Sequence, residues 1–142
     1  TPVATTSISS PFVKALFRIN VASGTTATIV LQSNNGTSSE AAIGVFSMYD
    51  ASSSIPFDTA QATNGATASG PSVNLNVPAN GIIIAGSSGI SSPSYTGITQ
   101  RYQNQVSAFH NNSGASNDGL AAQTGRTISQ ANGFYLVAAS FA

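Results

Sequence analysis

Residues 70–89 read GPSVNLNVPANGIIIAGSSG, and this stretch decides the fold class. Val73, Leu75 and Val77 alternate with Ser72, Asn74 and Asn76, the period of two that a half-buried strand imposes. Pro78 has no backbone N–H to give to a ladder and stops the strand. Asn80-Gly81 follows, and both residues tolerate the positive φ of a tight turn. Ile82, Ile83, Ile84 and Ala85 then run without a polar break, as in a strand covered on both faces. The pattern predicts a hairpin whose first strand has a wet face and whose second strand is central.

The same signals recur on either side. Residues 12–21, FVKALFRINV, alternate, with Val13, Ala15, Phe17, Ile19 and Val21 on one face and Lys14, Leu16, Arg18 and Asn20 on the other. Residues 25–32 form a further strand with Ala27, Ile29 and Leu31 inward, and 40–49, EAAIGVFSMY, a long apolar one. Asn35-Gly36 marks the loop between them. Residues 98–102 and 105–109 are two short strands or one bent strand. Residues 110–119, HNNSGASNDG, read as the longest polar loop. Residues 120–125 and 126–129 are weaker strands, Asn132-Gly133 is a turn, and 134–142 is a closing apolar strand. The sum is an all-β chain of about eight to ten strands without a convincing helix. The expected architecture is an antiparallel two-sheet sandwich of jelly-roll type. The Ser/Thr-rich residues 1–11 are expected to form an extended N-terminal arm, and 12–142 a single domain, which suits a length of 142 residues.

Composition narrows the function classes. Charged residues make up 6% of the chain, against about 25% in ordinary globular proteins. The formal net charge is zero. Lys14, Arg18, Arg101 and Arg126 are too few to build a basic face for nucleic acid. No apolar run approaches the ~20 residues that span a bilayer as a helix. There is no cysteine for disulfides or thiolate metal sites. A near-neutral surface of Ser, Thr, Asn, Gln and Gly lacks the charge repulsion that keeps copies apart, which fits a protein held in an assembly or displayed outside cells.

Catalytic constellations are sparse. His110 is the one histidine, and its nearest acid in sequence is Asp118. The nucleophile-elbow spacing G-x-S-x-G is absent, since Gly86-Ser87-Ser88-Gly89 is one residue short. The acids are Glu40, Asp50, Asp58 and Asp118; Asp50 and Asp58 bracket one loop and read as turn residues whose carboxylates bind backbone N–H groups. The reading is therefore non-enzymatic, with no cofactor and no metal. Loops on a rigid β scaffold are where recognition concentrates. That makes His110, Asn111 and Asn112 candidate contact residues, with Tyr95 and Tyr102 as a candidate stacking platform.

Residues 43–86, IGVFSMYDASSSIPFDTAQATNGATASGPSVNLNVPANGIIIAG, with Thr96–Tyr102 and Leu136–Phe141, carry a resemblance. An apolar strand, a Pro56-Phe57-Asp58-Thr59 loop, a V-x-L-x-V strand, a T-G-x-T-x-R-Y segment and a terminal V-A-A-S-F strand follow in order. This resembles a motif of uncharacterised phage and bacterial surface β-sandwich proteins. The resemblance implies a jelly-roll-like sandwich in a virion or cell-surface structure, and no catalytic residues. The expected function is that of a structural protein of a virus particle, a capsid decoration protein or fibre domain. Its partners would be copies of itself and other virion proteins. The alternative is an extracellular adhesin or carbohydrate-binding module that contacts surface glycans.

Overall fold

A computed structural model describes residues 2–7, 13–19, 28–30, 42–64, 70–107 and 110–142; for residues 2–7 and 13 the description is of the backbone. The described chain is all-β and antiparallel, with eight strands and no helix. They are β1 (Pro2–Ser7), β2 (Val13–Phe17), β3 (Asp58–Thr63), β4 (Ser72–Val77), β5 (Gly81–Thr96), β6 (Gln100–Ser107), β7 (His110–Leu120) and β8 (Gln123–Phe141). β1 and β2 form a two-stranded sheet. The others form a six-stranded sheet in the order β3-β8-β5-β7-β6, with β4 also paired to β8.

β8 is the frame. It is 19 residues long and pairs with three strands. Its first part, Gln123–Ser129, pairs with β4, and its second part, Tyr135–Ser140, pairs with β3. Along its other edge it pairs with β5 over most of its length. Between the two parts sits Asn132, with φ of 59°. Here the register with β5 jumps, from Gly89↔Gly133 to Ser94↔Ala131. Four residues of β5, Ile90–Pro93, stand against one of β8, a wide bulge that bends both strands. Asn132-Gly133, expected to reverse the chain, instead bends a continuous strand. The polar stretch 90–96 likewise belongs to β5.

The alternation read in 72–77 is the observed burial: Val73, Leu75 and Val77 are inside and the residues between them exposed. β5 is central, paired on one side with β7 and on the other with β8. The turn is present as well, with Asn80 at φ 57° and Gly81 N–H donating to Pro78 O at 3.0 Å. The expected hairpin is not. Among the described residues β4 and β5 share no ladder; β4 lies against β8. The turn carries the chain across the core, not along one sheet. Val73, Leu75 and Val77 join one buried cluster with Ile83, Ala85, Ala115, Leu136, Ala138, Ile98 and Ile128. Burial of each valine, leucine or isoleucine among them contributes about 1.5–3 kcal/mol.

The opposite face of the sheet is covered by Leu16 of β2 and by Phe46 and Met48, which pack on Ile84, Ala139 and Phe141. In β2 the face that points to the sheet is the one with Lys14 and Leu16. Phe17 is 65% exposed and Ile19 71%. Residues 42–49, expected as a strand, form none. Of the 25–32 expectation only 28–30 is described, without strand pairing, and Ile29 is exposed. The loop expected at 33–39 and the strand end at 108–109 lie outside the described residues.

Candidate functional site

The largest correction concerns residues 110–119. They are not a loop but most of β7, an inner strand between β5 and β6. Its polar side chains are accommodated because alternate residues face opposite ways and each face offers partners. On the core face, Ser113 stands opposite Ser87 of β5. Both are fully buried, with hydroxyl oxygens 2.6 Å apart. Tyr95 reaches over from the far end of β5. Its hydroxyl donates to Ser87 Oγ at 2.7 Å, with the Ser113 carbonyl oxygen 3.2 Å away. Burial raises the Tyr95 phenol above its ordinary pKa, and the bonds to Ser113 and Ser87 work against that. The group thus closes a three-member polar knot inside an apolar cluster, as buried hydroxyls require.

On the other face, Asn112 and Gly114 point toward β2 and β6. Lys14 Nζ donates to Asn112 Oδ1. The Lys14 stem runs over Gly86, where an added Cβ would lie 3.2 Å from Lys14 Cε. Burial lowers the Lys14 amine from 10.5 to about 8, because desolvation penalises the charged form. Tyr102 of β6 pairs with Gly114 and lays its ring over it; an added Cβ there would lie 2.3 Å from Tyr102 Cε1. Phe46 meets the same ring, with centroids 5.8 Å apart. Burial raises the Tyr102 phenol as well.

The five residues singled out from sequence therefore lie within one patch of sheet, distributed over its two faces. Tyr95 is inside, bound to Ser87 and Ser113. Tyr102 is half-buried over Gly114. Asn111 and Asn112 are buried, and Asn111 Nδ2 donates to Ile90 O at 3.1 Å. His110 is half-buried with Nδ1 3.3 Å from Ser107 Oγ. His110 and Asp118 are not brought together: eight residues of strand at about 3.3 Å each separate them by roughly 26 Å. Asp58 has the turn role read for it, accepting Thr59 N–H at 2.8 Å and Asn76 N–H at 2.7 Å. Asp50 adopts the left-handed conformation, φ 58°. Glu40 lies outside the described residues.

Lys14, Ser87 and Ser113 were missed from sequence. The signal for Lys14 was Leu16, an apolar residue on the supposedly wet face, combined with Gly86, whose missing side chain leaves room for a long one. Comparison with protein-family models, with curated proteins and with solved structures found no match.

Proposed function

We propose that this chain is a non-enzymatic structural protein of a virus particle, a capsid decoration protein or fibre domain acting through subunit–subunit contacts. The observation that carries the reading is the exposed apolar surface. Phe17, Ile19, Val45, Tyr49, Ile55 and Phe57 are all more than half exposed. Ile19 and Met48 line one hollow of about 240 Å³ with Arg18, Asp50, Ala51 and Ser54, so the two stretches share a surface. Exposed apolar area, where it is contiguous, marks an interaction surface. The low charge and lack of cysteine fit the same role. A second contribution comes from β1. Its only ladder among the described residues is with β2, and in this reading a strand of a neighbouring copy adds to that two-stranded sheet.

The finer fold reading belongs to the same proposal. The bend at Asn132, with the cluster that joins Val73, Leu75 and Val77 to Ile83 and Leu136, supports a sheet folded into two layers in the jelly-roll manner. The carbohydrate-binding alternative has less beneath it. Tyr95 spends its hydroxyl inside the protein and Tyr102 covers a glycine of its own sheet.

The test is particle association in the native source. Material is fractionated by size and density, and this chain's tryptic peptides are sought by mass spectrometry. The expected result is co-migration with intact particles at fixed stoichiometry. Recovery as small soluble species alone would end the structural reading. In the same assay, removal of residues 1–11 is expected to weaken assembly, and unchanged assembly would remove β1 from the contact.

A further inference from the structure

Lys14 and Asn112 are 98 residues apart in sequence and meet across two layers of the fold. Lys14 comes from β2, in the two-stranded sheet; Asn112 comes from β7, an inner strand of the large sheet. The amine donates to Asn112 Oδ1, which sets the nitrogen beside the side-chain carbonyl, whose carbon is one C=O bond of about 1.23 Å from that oxygen. Asn112 is only 5% exposed. The lysine stem is held in a groove floored by Gly86, where even a Cβ would come within 3.8 Å of Nζ. Gly114, the register partner of Gly86, carries the Tyr102 ring where its own Cβ would lie, so the ring borders the space that Lys14 fills. A buried amine and a buried primary amide are thus kept in contact with little room to part. Such confinement turns a slow encounter into an intramolecular one.

We propose that Lys14 and Asn112 join in an isopeptide bond, an intramolecular cross-link between β2 and β7. The Nζ lone pair attacks Asn112 Cγ, and an N–C bond forms. The tetrahedral adduct collapses, the Cγ–Nδ2 bond breaks, and the amide nitrogen departs as ammonia with the proton the amine gives up. One amide replaces another, so the step needs no oxidant, nucleotide or metal. Release of ammonia to water drives it forward. Desolvation favours the step because the neutral amine is the nucleophile, and burial brings its pKa down to about 8. The bond would give a chain without cysteine a covalent staple. This inference is independent of the virion reading.

The experiment is mass analysis of the full, unmodified chain. Trypsin cleaves after Lys14, Arg18, Arg101 and Arg126. The expected intact mass is lower than the sequence mass by one ammonia. Residues 1–18, uncut at Lys14, are expected to travel with residues 102–126 as one branched species. Lys14→Arg and Asn112→Ala should each restore the full mass. The proposal is overturned if the intact mass equals the sequence mass. It is equally overturned if ammonia loss maps to a linear peptide, as a succinimide at Asn35-Gly36 or Asn80-Gly81 would, with 1–14 and 102–126 recovered apart. The wild-type digest decides the matter even where a variant does not fold.

Discussion

Ser87 and Ser113 face each other on adjacent inner strands, with oxygens 2.6 Å apart and neither side chain reached by solvent. Their geometry is that of a buried pair that satisfies itself. Ser113→Ala would leave Ser87 with Tyr95 alone, and Ser87→Ala would leave Tyr95 and Ser113 only the longer bonds between them, 3.2 Å to the Ser113 carbonyl oxygen and 3.4 Å between the hydroxyls. The larger loss is expected for Ser87→Ala, about 1–3 kcal/mol. The double variant should cost less than the sum of the two, because neighbouring partners couple. Urea unfolding of the three variants measures both statements.

Asp58 ties two strands together, since one carboxylate oxygen accepts from Thr59 and the other from Asn76 at the end of β4. Asp58→Ala removes both bonds at once. The expected loss is about 1–2 kcal/mol, the range of one or two net hydrogen bonds at a partly exposed site. The unfolding midpoint reads it, and Asp58→Asn should recover part of the loss.

Gly114 is occupied by a neighbour: the Tyr102 ring lies where a Cβ would go. Gly114→Ala is expected to displace that ring and to destabilise by about 1–3 kcal/mol, as overpacking does. Adding Tyr102→Ala should relieve much of the strain, so the second change costs less in the Gly114→Ala background than alone. Equal costs in both backgrounds would show that the ring does not fill the site.

Lys14 makes stability depend on pH wherever its amine is not acylated, as in Asn112→Ala. Burial lowers its pKa from the ordinary 10.5 to about 8 in the folded chain. Between those values the unfolded chain holds more protons than the folded one, so stability rises with pH. Below about pH 8 both states carry the charge, and the burial cost is felt in full. The expected result is an unfolding midpoint that climbs from pH 8 toward 10. At still higher pH the buried phenols of Tyr95, Tyr102 and Tyr135, all raised, turn the curve down. Adding Lys14→Met to this chain should flatten the climb.

The parts of the fold legible in the sequence are those whose burial follows a local rule. Val73, Leu75 and Val77 announce their face by alternation, and Ile82–Ala85 announce a central strand by the absence of polar breaks. Residues 110–119 gave the opposite signal. Asn, Ser and Gly belong to loops by propensity, and nothing nearby shows that Ser113 has Ser87 as a partner 26 residues away. Asn132-Gly133 was misread for a related reason. Positive φ at Asn132 is real, but a bulge in β5 makes it a bend and not a reversal. Residues 42–49 carry strand composition without strand pairing, because Phe46 and Met48 serve as a cover for the sheet face. In the candidate site the tyrosines stood out as aromatic residues. Lys14 did not, since its role depends on a partner 98 residues further on.

Because β8 is the shared partner of β3, β4 and β5, the order of synthesis matters. On the ribosome, residues 58–96 are synthesised before residues 123–141 exist, and until then β3 and β4 lack the ladders they make with β8. The nascent chain must therefore carry Leu75, Ile83 and their neighbours unprotected until the frame strand is made. Folding of this sheet waits on the synthesis of residues 123–141, and a nascent chain stalled before residue 123 would be a client for chaperones.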